Sequence, residues 1–489
     1  MFRRYISLFL FAMVLTACGK PASAPIPLPT SQVVDFLLQA DAFMEAGQYE
    51  QSIGLYDRAI QAEPALADLY YRRGLAYFGL NQFEQAILDF NTTLELNPQA
   101  VNAYQARGVA SAQIGQIAAA LSDFARWIEL APEQAEAYLT RGKVYYEQND
   151  FDLARVDLDR AIELAPTLID AYLYRARIYQ SLGDSQSALI DLDRVIELSP
   201  QSNEGYRERG NLYALSGKAP QAFADYEQAL VLQPDDFKTL FLRGSLYIQQ
   251  REFEIALQDF NRVVELAPDF PDGRYNRAIL QVEMGFLPEA LEDWNILINT
   301  YPQETLYYSQ RARVHQLLNQ TEAAFADINY AILIAPEEAG LYTQRANIYA
   351  SLSKTTFAQA DFETALTLDP SDPNLFLQRG KFLFNQGQYA QSIEDFDQCL
   401  LLASCPPEAH LRRGAANYYL GQSAEAVVDF THYIELDPKY SKAYYNRALV
   451  YHAMGLDKEA GDDIAMFMQL ETDPQELQKG EQLLALLKK

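Results

Sequence analysis

From Val33 onwards the apolar residues recur in helical rhythm, in two blocks per 34 residues separated by a short polar turn. Blocks with apolar residues three and four apart predict amphipathic helices, so each period reads as two helices and a turn. Prolines give the register. Pro64, Pro98, Pro132, Pro166, Pro200, Pro234, Pro268, Pro302, Pro336, Pro370 and Pro438 lie on one lattice of spacing 34, with a vacancy at Ser404 and Pro406 just beyond it. Thirteen units follow, the first starting at Val33 and the last at Ser441.

The columns of this register are informative. Position 8 is always Gly or Ala, from Ala40, Gly74 and Gly108 to Gly414 and Ala448; position 20 is Ala except at Ser52 and Ser392. Position 24 is always large and apolar, from Tyr56 and Phe90 through Trp294 to Ile464. Small residues let paired helices approach closely, and the large one fills the layer to the next unit. Position 15 is Gly, Asn, Arg or Ser, where the turn after the first helix needs a permissive residue. Pro220 and Pro288 fall at the N1 site of a second helix, where the missing N–H costs nothing.

A helix-turn-helix period of 34 with these columns resembles the tetratricopeptide repeat, over about 440 of the 489 residues. The resemblance implies an all-α fold, a right-handed superhelical α-solenoid of about 13 units over residues 33–472. Residues 473–489 carry Leu477, Leu484 and Leu487 on one helical face and end in Lys488 and Lys489, which suits a capping helix.

One column departs from the family. Where the repeat usually has Leu at position 7, repeats 2 to 13 all have Arg, from Arg73 to Arg447; the same twelve have Asp at position 23, from Asp89 to Asp463. Repeat 1 has Gln39 and Leu55 instead. Pairing each Asp with the Arg of the following repeat would set Arg73 against Leu55 and leave Asp463 alone, whereas pairing inside each repeat leaves none unmatched. Twelve bridges between the two helices of one repeat are therefore expected, and such pairs fix register more than they add stability.

Ahead of the repeats the texture changes. Arg3 and Arg4 precede an almost wholly apolar run from Tyr5 to Leu15, then small Thr16 and Ala17, so residues 1–17 read as a signal peptide. Eleven apolar residues are too few to span a bilayer, which takes about 20. Leu15-Thr16-Ala17-Cys18 resembles the bacterial lipobox, which implies cleavage before Cys18 and lipid on that residue as a membrane anchor. Residues 18–32 then hold the lipidated cysteine and a tether with Pro21, Pro25, Pro27 and Pro29 and one charge, Lys20. Such a chain is semi-rigid and reaches about 3.1 Å per residue, roughly 40 Å in all. The expected localisation is exported and lipid-anchored to the cell envelope. Gly19 after Cys18 implies, by resemblance, the outer membrane of a double-membraned bacterium, or else the outer face of the cytoplasmic membrane.

Charge narrows the partners. Lys plus Arg number 39 against 66 for Asp plus Glu, a net of −27, and loss of Arg3 and Arg4 takes the mature chain to −29. Nucleic acid and anionic lipid are disfavoured, since phosphate recognition needs a basic field. Cys399 and Cys405 are the other cysteines. Six helical residues separate Cα atoms by about 9 Å, beyond the roughly 7 Å limit of a bridge. They pair only if the chain folds back after Leu402; otherwise Cys399 is a small core residue and Cys405 a loop thiol.

No catalytic constellation is legible: there is no GxxxxGK[ST], HExxH, CxxC or calcium-loop pattern. His315, His410, His432 and His452 sit in different columns or on different helices, and Ser351 to Lys354 matches SxxK only as a string in a turn. No catalytic residue, metal site or cofactor is expected.

Stacked repeats form an extended concave surface. The resemblance places positions 2, 5, 9 and 12 of each first helix along it. Repeats 4 to 7 set Lys143, Arg177, Arg207 and Lys238 there, with Tyr146, Asn211 and Phe241 among them. This basic, aromatic run is expected to hold an acidic, extended or helical segment of another envelope protein. The same side chains could instead pair with Glu136, Asp170 and Glu204 of the same columns. Arg207 and Asn211 match only part of the family's chaperone-tail clamp, and Leu242 breaks the rest. Tyr418, Tyr419, Tyr445 and His452 form a second candidate contact. Repeat 8 has Arg274 and Gln281 in place of aromatics and is the expected mechanical weak point, unless their polar ends point outward. The chain is similar in architecture to envelope lipoproteins of pilus assembly, outer-membrane protein insertion or cell-wall enzyme complexes. A non-enzymatic scaffold, monomeric rather than homo-oligomeric, is the expected function; the alternative is a self-assembling structural envelope protein.

Overall fold

The computed structural model describes residues 31–487; the leader, Cys18 and the tether up to residue 30 lie outside the described residues, as do Lys488 and Lys489. Among the described residues there are 27 α-helices and no strand. The chain falls into two compact units divided between Gln250 and Arg251, inside repeat 7, where the period alone suggests one unbroken array. The first unit runs from helix Ser31–Glu45 to helix Phe237–Gln249, the second from Phe253–Leu266 to Pro474–Leu486. In each, successive helices pack on one another in chain order, which is an all-α solenoid.

Position 15 shows why the turns hold. Its φ is positive in every repeat, between 57° and 82°, on eight glycines, three asparagines, Arg251 and Ser353. The next N–H closes back five residues, as from Gln82 to the Tyr77 carbonyl at 2.9 Å, and satisfies a carbonyl at the helix end.

Column 24 is the core: from Tyr56 and Phe90 to Ile464 its side chains are at most 1% exposed. A Cβ added to Gly74, Gly108 or Gly380 would lie 2.6 Å from a ring carbon of Phe90, Phe124 or Phe396, so glycine is required under those rings. Alanine takes the same seat at Ala176 and Ala312 beside Leu192 and Ile328, and also at Ala40, Ala278 and Ala346 beside Tyr56, Trp294 and Phe362, so ring size alone does not decide between the two.

The arginine column binds these layers. In the first unit Arg73, Arg107, Arg141, Arg175 and Arg209 each donate Nε and Nη2 to the aspartate sixteen residues on, at 2.6–2.9 Å. In the second Arg277, Arg311, Arg345, Arg379, Arg413 and Arg447 do the same at 2.5–3.1 Å. The twelfth expected pair, Arg243 and Asp259, falls on the boundary between the units. The within-repeat pairing holds, but it is half of the arrangement. Most of these arginines also turn Nη1 back sixteen residues to position 25 of the preceding repeat, as Arg73 does to Asp57, Arg175 to Asp159 and Arg311 to Asn295, each at 2.6 Å. Asp57 explains how repeat 1 receives Arg73 despite Leu55. Burial pushes the Asp89, Asp191 and Asp395 carboxyls above the ordinary range even with an arginine on each, while the same hydrogen bonds hold Arg73, Arg175 and Arg379 more firmly protonated; buried pairs of this kind serve register more dependably than net stability.

The proline lattice is tied to the same point. Tyr70, Tyr172 and Tyr342 donate their hydroxyls to the carbonyls of Pro64, Pro166 and Pro336 at 3.0–3.2 Å, and their rings lie 5.5–5.7 Å from Arg73, Arg175 and Arg345. At the vacant lattice site the helix Tyr389–Leu401 stops, Leu402 is extended, and Ser404 takes φ +69°. The chain folds back and brings Cys399 and Cys405 to a Cα separation of 5.4 Å in a disulfide, which staples the turn that proline shapes elsewhere.

Two local expectations meet the structure differently. At the end of the second unit Leu484 and Leu487 pack on the core as expected, around Leu483, which is 4% exposed, and Gly480, which lies under Phe467, while Leu477 is half-buried. In repeat 8 Arg274 does not point outward: it is buried with Nη1 2.8 Å from Asp293, which Arg277 also grips, so one carboxylate serves two guanidiniums. Gln281 Oε1 and Trp294 Nε1 are buried there without hydrogen-bond partners.

Asp191→Ala, which strands the half-buried Arg175, should lower the stability of the first unit by about 3 kcal/mol in urea titration, whereas Asp159→Ala at the exposed back-contact should cost under about 1 kcal/mol. Equal losses would mean that the two contacts are equivalent. Gln281→Leu, which removes a buried unpaired acceptor, should raise the denaturation midpoint of the second unit, by about 1 kcal/mol of stability.

Candidate functional site

Charged side chains that the core does not need gather on the first helices of repeats 4 to 6, Ala135–Glu147, Ile169–Ser181 and Asn203–Leu215. They lie off the arginine and aspartate columns. Lys143 Nζ is 2.7 Å from Asp170; Arg177 Nη2 is 2.8 Å from Glu204 and 2.7 Å from Glu208. Arg207 reaches Glu204 at 3.2 Å and Asp236 at 3.0 Å, and Asp236 also accepts from the Thr239 N–H to cap Phe237–Gln249. Three repeats are thus linked along one face by ion pairs in which Arg207 is only 11% exposed.

The ring at the centre is Tyr174. Lys143 Nζ lies 4.9 Å and the Arg177 guanidinium 5.3 Å from its centroid, and Tyr146 meets it edge-on at 5.5 Å. Burial pushes the Tyr174 hydroxyl up to about 12, with Arg177 opposing. Burial also works against the charge of Arg177, but Glu208 and Glu204 outweigh it and hold that group firmly protonated.

The expected run of free basic groups is therefore corrected. Lys143, Arg177 and Arg207 are each committed to carboxylates: positions 2 and 6 of the neighbouring first helix lie within reach of Lys143 and Arg177 at position 9, while Arg207 at position 5 reaches Glu204 on its own helix and Asp236 at the end of its repeat. Asn211 is half-buried beside them. Lys238 and Phe241 lie on Phe237–Gln249, the one exposed and the other half-buried, and neither is without a partner. Tyr174 and Glu208 were passed over because position 6 does not belong to the groove columns of the family; the signal was an aromatic one helical turn before Arg177.

The second candidate patch is divided. Tyr418 and Tyr419 join Phe384 and Tyr389 of repeat 11, with Tyr389 and Tyr419 stacked at 4.9 Å and 10°. Tyr445 packs on Phe467 beside the capping helix, and His452 pairs across its turn with Asp457 at 2.7 Å. Among the described residues no group of three or more His, Cys, Asp or Glu is arranged to hold a metal ion, and no helix is long and apolar enough to cross a membrane.

Profiles described as tetratricopeptide repeat match residues 67–99, 135–168, 173–237, 210–281, 339–372, 373–404 and 430–462, and one described as TPR repeat matches 40–81. The chain belongs to the tetratricopeptide-repeat family. Among solved structures, a tetratricopeptide repeat protein from Parabacteroides merdae is 20% identical to this tetratricopeptide-repeat chain over 51% of it and 99% of its own length, with a TM-score of 0.44. Yeast Tom70 is 16% identical over 86% of this chain and 95% of its own, with a TM-score of 0.48. YrrB, described as a TPR protein with an unusual peptide-binding site, is 23% identical over 38% and 95%, with a TM-score of 0.33. No curated protein sequence matches the chain.

A folded-state value raised above the ordinary 10 means that Tyr174 contributes stability that is complete below pH 10 and lost as pH rises towards about 12. Buried Tyr56 and Tyr226 ionise late as well, so the check is a difference: ultraviolet titration of the wild type less that of Tyr174→Phe should leave one tyrosine that ionises well above pH 10. An unchanged titration would refute the enclosed ring.

Proposed function

We propose that this tetratricopeptide-repeat protein is a membrane-tethered, non-enzymatic adaptor of a bacterial cell envelope, holding a segment of a partner protein against the first helices of repeats 4 to 7. The observation that carries this reading is the off-lattice network around Tyr174. Half-buried charges are costly to keep where packing does not require them; single pairs of the same kind occur at Lys381 with Glu408 and Arg72 with Asp41, but here they follow one another and enclose a ring between Lys143 and Arg177. A run of such pairs over three consecutive repeats answers to something outside the chain. Lys143, Tyr146, Arg177, Arg207, Asn211, Lys238 and Phe241 supply the contact, together with Tyr174.

The partner's chemistry follows from the pairing. A purely acidic segment would have to displace Glu204, Glu208 and Asp236 from the two arginines, so an extended or helical segment of alternating charge, exchanging pairs one for one, fits better. Export and the lipid anchor are supported by the leader and by Cys18 in its lipobox-like setting. The tether then stations the groove away from the bilayer, where it can recruit other envelope proteins.

Crosslinked capture from an envelope extract tests the reading. The chain from residue 19 should retain a protein that Asn211→Ala/Lys238→Glu loses by at least about tenfold at unchanged helix content, the scale of one hot-spot contact. Undiminished capture would overturn this placement of the groove, and capture of nothing but further copies would favour the self-assembling alternative.

A further inference from the structure

Position 9 of the first helix carries a cation in four repeats, at Lys143, Arg177, Arg313 and Lys381. Three of them close on the acid at position 2 of the next repeat: Lys143 on Asp170 at 2.7 Å, Arg177 on Glu204 at 2.8 Å and Lys381 on Glu408 at 3.2 Å. Arg313 is the exception. The position 2 that follows it is Gly340, and position 6, where Arg177 finds Glu208, is Gln344. Gln344 is already committed to repeat 9, donating to the Ser309 carbonyl at 2.8 Å and accepting from its hydroxyl at 2.7 Å. Glu338, just ahead of Gly340, accepts from the Thr305 hydroxyl at 3.0 Å. Among the described residues the one carboxylate within ion-pair reach of Arg313 is Glu283, at 4.0 Å, and the Arg313 side chain stays 57% exposed.

The place of the missing acid is open. A Cβ added to Gly340 would meet nothing within 4 Å. Farther along the same helix, Asn347, Ala350 and Ser351 line an open recess of about 290 Å³, with Gln378 and Lys381 of repeat 11 opposite. The first helices of repeats 9 to 11, Thr305–Leu317, Ala339–Ser351 and Pro373–Asn385, carry no Asp or Glu, and nowhere else do three first helices in succession lack both. An anion arriving here gains charge-assisted hydrogen bonds without first displacing an internal partner, whereas in repeats 4 to 6 it would have to displace Glu204, Glu208 or Asp236.

We infer that Arg313 and the space over Gly340 form a second binding site, which takes a side-chain carboxylate from an extended acidic segment of another protein. That carboxylate stands where Asp170, Glu204 and Glu408 stand in their own repeats, and the chain bearing it has the recess beside Asn347 to pass through. A side chain fits better than a chain end, because side-chain carboxylates are what the register puts in this place elsewhere. The site lies wholly within the unit of residues 251–487, shares no residue with the groove of repeats 4 to 7, and holds or fails independently of it.

A fluorescent peptide, SEASEASEA with acetylated and amidated termini, tests the site by anisotropy with the chain from residue 19. Salt at about 0.1 M screens the protein's net negative charge. Saturable binding is expected, at least about tenfold tighter than that of SQASQASQA, which offers no charged acceptor. Arg313→Ala should weaken it by about tenfold. Gly340→Asp supplies the missing acid from within, in open space and in the first turn of a helix, where an acid is favourable. It should also weaken the peptide by about tenfold, by occupying Arg313, while Gly340→Asn changes affinity by less than about twofold. Unchanged far-ultraviolet dichroism verifies the fold of each variant. Failure to saturate, equal affinity for the glutamine peptide, or indifference to Arg313→Ala or to Gly340→Asp would each overturn the inference. So would a gain of about tenfold on freeing the peptide's carboxyl terminus, which would give the place to a chain end.

Discussion

A guanidinium is planar and carries donors on two edges, and each repeat layer of this protein depends on that geometry. The Nε and Nη2 edge of the position 7 arginine meets the aspartate of its own second helix, and Nη1 in most repeats meets a polar group of the repeat before. The two spacings are equal because position 7 lies sixteen residues before position 23 and, after one period of 34, sixteen after position 25. A lysine, with one rotating ammonium, could hold one partner but not orient three helices. Burial opposes the aspartates, so the arrangement is a device for register, while stability comes from the rings of column 24 in their glycine and alanine seats.

Variation on that device marks individual repeats. At Ala125 the backward acceptor is missing, and Arg141 keeps Asp157 alone. In repeat 12 burial is again the largest influence on Asp429, yet His410 and Arg413 together hold its carboxyl below the ordinary range. Repeat 8 turns Arg274 onto the shared aspartate. These are changes of partner at one buried point, and the helices around it keep their places.

The groove follows a different logic. Its charges lie on the faces of first helices that neither the arginine column nor the rings occupy, and they are closed into pairs across successive repeats. In the other unit the Tyr389 and Tyr419 stack lies open on one side, without such a chain of ion pairs around it.

Periodicity by itself determined the helices, the turns, the core column and the pairing of Arg with Asp inside a repeat, because each is a local or one-period relation that a repeated sequence writes many times over. Asp57 and its successors at position 25 were legible in the same columns but were set aside, since the test applied to neighbouring repeats compared column 7 with column 23 alone. What only the tertiary structure decided concerns residues that occur once. Whether Arg177 is free or holds Glu204 and Glu208 depends on the rotation between adjacent helices. Whether Cys399 meets Cys405 depends on a helix ending one residue early. The grouping of Tyr419 with Tyr389 rather than with Tyr445 depends on which turn lies beside it. Such contacts are made through space between side chains whose order along the chain carries no period, so no column records them.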